Sequence, residues 1–391
     1  MKTRLVHTLV NSLVVLVSIG VIIMILELAS RLFVIPTGIN ENMDFFNLRT
    51  SSYYQKDETL GWLPRKNVHG VHNQSGSFST TFQTNSRGLR DRDYPPTKSK
   101  NFRRIIVLGD SFTWGWGVGD QEIYTEVLES RLKNAEVINL GVTAFGIPQE
   151  FRYLQQEGMQ YDPDIVLLAL CLNDIETPAT TTQNTEQTTK SQENQDENSF
   201  AKLKRYLSSH SSLFTFIMGR INANKSLVNW LVQVGVKGDL AGYEKLDINI
   251  RPMLKVYPEE LHLAFEQTKS NLLHMKEFLY NRGVRFVVIL IPSLQSVEDE
   301  TAFAQSIAYL KFDTDDFDTE KPYRLLQEFG KENDIEVLSP LVSFKRTHQQ
   351  KTKLFLNRDM HFNALGHELF AHEVYSYLLH GSDSLNPHDL N

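Results

Sequence analysis

Residues 105–114 read Ile-Ile-Val-Leu-Gly-Asp-Ser-Phe-Thr-Trp, an apolar run that stops at Gly109-Asp110-Ser111 just ahead of a helical pattern. Such a run predicts a buried strand. The break sets a serine hydroxyl at the strand's carboxyl end, where open α/β sheets keep their active sites. Gly-Asp-Ser alone is a common tripeptide. Three segments downstream give it weight: the small-residue stretch 139–146, Asn173-Asp174 after another apolar run, and Asp359-Met360-His361 near the C-terminus.

Working outward from this stretch, strand and helix patterns alternate. Strands are expected at 104–108, 137–140, 164–170, 285–291 and 335–338, and helices at 122–132, 148–157, 261–282, 323–333 and 364–379. The run 164–170 is almost wholly apolar, as a parallel strand covered on both faces must be. This alternation implies a three-layer α/β/α domain around a five-stranded, doubly wound parallel sheet in flavodoxin-like order.

Ahead of that domain the chain has a different character. Residues 8–26 carry no charge and are mostly Leu, Val and Ile. Roughly 20 such residues, at ~1.5 Å each, span the hydrocarbon core of a bilayer. The fold expectation therefore includes an N-terminal transmembrane helix. Lys2 and Arg4 precede the run, which predicts a cytoplasmic tail and a periplasmic or extracellular remainder. A cleaved signal peptide is the rival reading, but Glu27-Leu28-Ala29-Ser30-Arg31 follows the run where a small-x-small site would be expected. The chain divides accordingly into a tail and anchor (1–35), a connector with ordered lead-in elements around 60–64 and 84–90 (36–100), and the α/β domain (101–380). An insertion interrupts that domain at 176–260. Its first part, 176–199, is rich in Thr, Gln, Asn and Glu and reads as a disordered loop, whereas Leu203, Leu207, Leu213, Phe214 and Ile217 suggest helices beyond it. The insertion leaves the sheet directly after Asn173-Asp174, on the edge that carries Ser111. It is either a lid or acceptor-binding element, or a peripheral decoration.

Composition excludes some classes. A formal net charge of −7 and the lack of a basic stripe argue against a nucleic-acid partner. The only cysteine, Cys171, rules out an intrachain disulfide and a cysteine-rich zinc site. No cofactor or metal is expected. His-x-x-x-His, a phosphate-cradling Gly-rich loop and a Gly-x-Ser-x-Gly elbow are all absent.

The four segments together suit acyl transfer. A serine hydroxyl is a poor nucleophile unless a base takes its proton during attack, and His361 is the best-placed base. Asp359 lies two residues earlier, close enough for its carboxylate to accept from Nδ1–H and leave Nε2 facing Ser111. Donors are also needed for the developing oxyanion. The candidates are the Ser111 backbone N–H, the Asn173 side-chain amide and an N–H near Ala144. Of the 12 histidines, His367, about one turn into the last helix, and His372 are assigned structural roles. Trp114 and Trp116 could line a substrate pocket or pack in the core, and both readings stand.

These blocks resemble the SGNH (GDSL-like) hydrolase superfamily, and specifically its membrane-anchored bacterial members. The first block is similar to Gly109-Asp110-Ser111-Phe112-Thr113, and the second to Asn139-Leu140-Gly141-Val142-Thr143-Ala144-Phe145-Gly146. The superfamily's oxyanion glycine aligns with Ala144, and Gly146 competes for that assignment. The usual Gly-x-Asn-Asp appears as Cys171-Leu172-Asn173-Asp174. The usual Asp-x-x-His is shortened to Asp359-Met360-His361, a spacing similar to carbohydrate-acting branches that include alginate O-acetylation proteins. The resemblance implies an acyl-enzyme on Ser111, with Asp359 and His361 as its partners and Ser111, Ala144 and Asn173 as oxyanion donors. It implies an extracytoplasmic esterase acting on an ester-bearing glycan or lipid. Two alternatives are an O-acyltransferase that modifies an exported polysaccharide and a non-catalytic binding subunit.

Overall fold

The computed structural model describes residues 53–176 and 246–380, apart from 75–76, 96, 308–311 and 358, together with parts of 11–28 and 211–217. Two antiparallel hairpins come first, β1 (Tyr54–Asp57) with β2 (Gly61–Pro64) and β3 (His69–Gln74) with β4 (Phe78–Gln83). Then β5 (Arg103–Gly109), β6 (Ala135–Asn139), β7 (Ile165–Leu170), β8 (Arg285–Leu290) and β9 (Glu336–Leu338) form one parallel sheet in the order β6-β5-β7-β8-β9. This is the expected flavodoxin-like order. The chain reverses its direction of travel across the sheet between β5 and β7, and ligands of open α/β sheets bind at such a switch point. Ser111 follows β5 and Asn173 follows β7, so the register Gly109↔Ala169 brings both loops to one crevice.

Every residue of β7 is buried, as are the last six of β5. Their β-branched and leucine side chains pack against helices on both faces, and each such side chain contributes about 1.5–3 kcal/mol on burial. The helices are α1 (Ser111–Trp114), α2 (Tyr124–Arg131), α3 (Ile147–Gln156), α4 (Glu259–Tyr280), α5 (Leu294–Val297), α6 (Glu300–Ile307), α7 (Lys321–Glu332), α8 (Leu341–Gln349) and α9 (Ala364–His380). The stripe that seats α4 is legible in its residues: Leu261, Phe265, Thr268, Leu272, Met275 and Leu279 recur at alternating steps of four and three and are all buried.

The observed elements depart from expectation in two places. The helix expected over 122–132 starts as a single 3₁₀ turn at Asp120–Glu122 and restarts at Tyr124. Ile123 between them is extended and fully buried against Gly115, so packing overrides the helical pattern. Helix α8 and the hairpins were not expected as regular elements. As to the span expected over 8–26, no helix among the described residues is long and apolar enough to cross a membrane. Part of that stretch lies outside the described residues, and its described positions from 21 to 28 are helical. The loop expected at 176–199 and most of the helices expected after it also lie outside the described residues.

Candidate active site

Ser111 is the first residue of α1, which begins immediately after β5. Gly109 makes the turn possible. Its φ is +154°, and a Cβ there would fall 2.1 Å from the Thr113 hydroxyl. Asp110 caps α1 by accepting from the Phe112 N–H at 2.9 Å, and Gly115 ends the helix in the left-handed region. The serine is thereby fixed on a one-turn helix at the rim of the sheet.

His361 arrives from the other end of the chain, on the loop before α9. Its Nε2 lies 2.7 Å from Ser111 Oγ, and its Nδ1 lies 2.5 Å from Asp359 Oδ1. Asp359 Oδ1 also accepts the His361 backbone N–H at 2.9 Å, so the one-residue gap closes a tight loop that presents the ring correctly. The carboxylate's other oxygen, Oδ2, accepts the Trp116 indole N–H at 3.2 Å. Burial pushes the Asp359 carboxyl up. The bond and charge of His361, its amide and the Trp116 indole outweigh that and hold it below the ordinary value. Asp359 is therefore ionised at neutral pH and fixes the tautomer with Nε2 free to accept the serine proton.

Asn173 stands on the 3₁₀ turn Leu172–Glu176 after β7, and its Nδ2 donates to Asp110 Oδ2 at 3.2 Å. Asp110 thus sets both the serine helix and the Asn173 amide, a role that sequence reasoning did not assign to it. The loop 141–146 is held against the serine turn. Val142 N–H donates to Gly109 C=O, Asn139 Nδ2 donates to Thr113 C=O at 2.8 Å, and a Cβ on Gly141 would meet Trp114 N at 2.4 Å. From outside, the Trp62 indole on β2 donates to Thr143 C=O at 3.0 Å. Ala144 is exposed with φ +62°, a left-handed conformation that costs a non-glycine residue about 1–2 kcal/mol. Its N–H donates to no described group. The buried Gly146 instead offers its N–H to the Gln149 side chain, so Ala144 is the better oxyanion donor of the two. Replacing Asn173 by alanine should lower kcat about 10²–10³-fold with little change in KM, measured on an aryl acetate. An unchanged kcat would remove Asn173 from the oxyanion site.

Behind these donors lie two more buried carboxyls. Glu150 on α3 is 1% exposed and neither oxygen has a hydrogen-bond partner among the described residues, while Asp174 accepts from the Cys171 N–H. Burial, and then the charge of neighbouring carboxyls, pushes both well above the ordinary range. Burial thus favours the protonated form of each carboxyl. The folded state then holds protons that the unfolded chain has released, and stability falls as pH rises above the ordinary carboxylate range. Glu150→Gln should flatten that fall by up to about 1.4 kcal/mol per pH unit in denaturant titrations between pH 5 and 8. Equal slopes for the two proteins would mean that Glu150 is ionised.

His367 is buried in α9 and its Nδ1 accepts the Tyr124 N–H at 3.2 Å. Burial, with the charges of Arg90 and His361, pushes its pKa down to about 3, which suits a neutral structural imidazole. His372 is exposed on the same helix. Trp114 packs in the core under the Arg90 guanidinium, which lies 4.4 Å from its ring centroid. Among the described residues no three His, Cys, Asp or Glu side chains are grouped to hold a metal ion.

Residues 107–233 match the family model of the GDSL-like Lipase/Acylhydrolase family. Over that stretch the chain is similar to the GDSL-like Lipase/Acylhydrolase family. No curated protein matches it. Solved structures similar to this chain include a lipolytic protein of the G-D-S-L family from Veillonella parvula DSM 2008, at 13% identity and TM-score 0.37, covering 70% of this chain and 97% of that one. A lipase/acylhydrolase from Enterococcus faecalis gives 13% identity and TM-score 0.36 over 71% and 95% of the two chains. An acetylxylan esterase from Geobacillus stearothermophilus gives 9% and 0.37 over 72% and 95%. Likenesses this remote carry no argument about substrate.

Proposed function

We propose that the GDSL-like domain is a serine esterase that cleaves acyl esters through a covalent acyl-enzyme. The observation that carries this reading is the continuous hydrogen-bond chain from Ser111 Oγ through His361 to Asp359, assembled from segments 250 residues apart. As Ser111 Oγ attacks the ester carbonyl, its proton passes to His361 Nε2 and the carbonyl π electrons move onto oxygen. The N–H groups of Ser111 and Ala144 and the Asn173 amide face that oxyanion. Collapse expels the alcohol, which takes the proton from Nε2, and leaves the acyl group on Ser111. Water, deprotonated by the same Nε2, then repeats the sequence and releases the acid.

The test uses the full-length chain and a fluorophosphonate probe. The peptide bearing Ser111 should gain the phosphonyl mass, and Ser111→Ala should abolish both labelling and aryl-acetate hydrolysis. Equal hydrolysis by wild type and Ser111→Ala would end the esterase reading.

The acyl group removed is proposed to sit on an envelope or exported glycan or on a lipid. The Asp359-Met360-His361 spacing and the charge-free run over 8–26 support that choice. With Lys2 and Arg4 before it, the run would anchor the protein with the esterase outside the cytoplasm. Protease added to intact spheroplasts should then digest the domain, and full protection would refute that orientation. Transfer to a sugar hydroxyl in place of water is the alternative outcome, read as acylated sugar by mass when candidate glycans are supplied.

A further inference from the structure

Trp116 sits on the loop that follows α1, between the left-handed glycines Gly115 (φ +90°) and Gly117 (φ +78°). Its N–H bonds back to Ser111 C=O at 3.0 Å, so the loop folds over and returns the indole to the catalytic segment. There the indole makes two contacts with different chemistry. Its N–H donates to Asp359 Oδ2, the oxygen that His361 does not use. Its ring lies nearly parallel to the His361 imidazole, with centroids 5.2 Å apart and planes 26° from each other. The indole is itself wedged. His72 on β3 packs edge-on to it at 4.2 Å and Phe78 on β4 at 6.3 Å. The lead-in hairpin thus buttresses the triad through one side chain.

We propose that Trp116 is a positioning residue which steers the His361–Asp359 pair from two sides: its N–H locks the carboxylate, and its ring face receives the positive charge His361 gains when Ser111 gives up its proton. The proposal rests on the esterase reading above and adds a residue to it. A ring face attracts a cation and not a neutral imidazole, so this contact strengthens as the transition state forms. Asp359, Asp110, His72 and His367 are the other titratable groups whose charge reaches His361, and none of them is substituted in the variants below.

Two variants of the full-length chain separate the two contacts. Trp116→Phe keeps a ring but loses the N–H, and Trp116→Leu loses both. Removing the donor makes Asp359 a better acceptor for imidazolium. The acid limb of kcat/KM should therefore move to higher pH in Trp116→Phe, with kcat down about tenfold and KM unchanged. Losing the ring face as well should move the limb back down in Trp116→Leu and lower kcat about 100-fold. An NMR titration of the ¹⁵N-labelled His361 ring should shift in the same two directions without any substrate. That readout keeps this proposal testable even if no ester is turned over. Unmoved limbs and unmoved ring titrations in both variants would reduce Trp116 to packing, whatever happens to stability. A raised KM at constant kcat would make it a substrate-pocket wall. Should Trp116→Leu fail to fold, Trp116→Phe alone decides the hydrogen-bond half, and an unmoved titration there overturns it.

Discussion

Replacing His361 by alanine is expected to lower kcat on an aryl acetate about 10⁴-fold or more, with KM within about twofold of wild type. Among the described residues the Ser111 hydroxyl has His361 Nε2 as its hydrogen-bond partner, at 2.7 Å, and the ring that carries it is fixed by Asp359 at 2.5 Å. Neither of the two described histidines nearest His361 can step in. His367 is committed to the Tyr124 amide, and His72 is packed behind Trp116 with its pKa pushed down to about 3 by burial and the charges of Arg90 and His361. If Ser111 and His361 act as a unit, as the proposed esterase requires, the double alanine variant should be no slower than either single one. Multiplicative losses, or a His361→Ala rate within tenfold of wild type, would show that the proton goes elsewhere.

The second large effect is on stability. Arg90 has no exposed side-chain surface, and its guanidinium donates to Gly115 C=O at 2.6 Å, Val118 C=O at 2.7 Å, Trp114 C=O at 3.3 Å and Asp120 Oδ1 at 2.8 Å. Those acceptors form the loop that brings Ser111 and Trp116 together. Arg90→Met keeps the length but removes every donor and strands a partly buried carboxylate. The expected cost is about 3–5 kcal/mol in denaturant unfolding, the range for breaking a buried charge from its partners. Arg90→Lys should recover only part, because an ammonium cannot reach the same spread of acceptors. Near-wild-type midpoints for Arg90→Met would mean that the loop holds itself.

These two cases mark what the residues disclosed in advance and what they hid. Strand β7 was legible because six consecutive apolar residues have no other stable fate than a sheet covered on both faces. The Ser111, Asn173 and His361 segments were legible because each follows an apolar run or precedes an amphipathic one, so their loops had to reach the sheet's carboxyl edge. Arg90, Asp110 and Trp116 were not. Their roles depend on contacts across 30, 63 and 243 positions, and nothing in the local spacing distinguishes them from a surface cation, a turn residue and a core aromatic. The hairpins were hidden for a related reason. Their strands are short and only partly apolar, so alternation is weak, and what orders them is the domain they pack on.

Strand β7 ends just before Asn173, and the chain is next described at length from residue 246, ahead of α4 and β8. The alcohol and the amide therefore belong to one half of the polypeptide and the imidazole to the other. Between them the halves share the six-residue pairing of β7 with β8, and no disulfide can link them because the chain has one cysteine. A single proteolytic nick between 177 and 245 would leave a two-fragment enzyme whose competence rests on backbone pairing and the surrounding core. Such fragments, expressed separately, would form a natural complementation pair that reports reassembly by regained turnover.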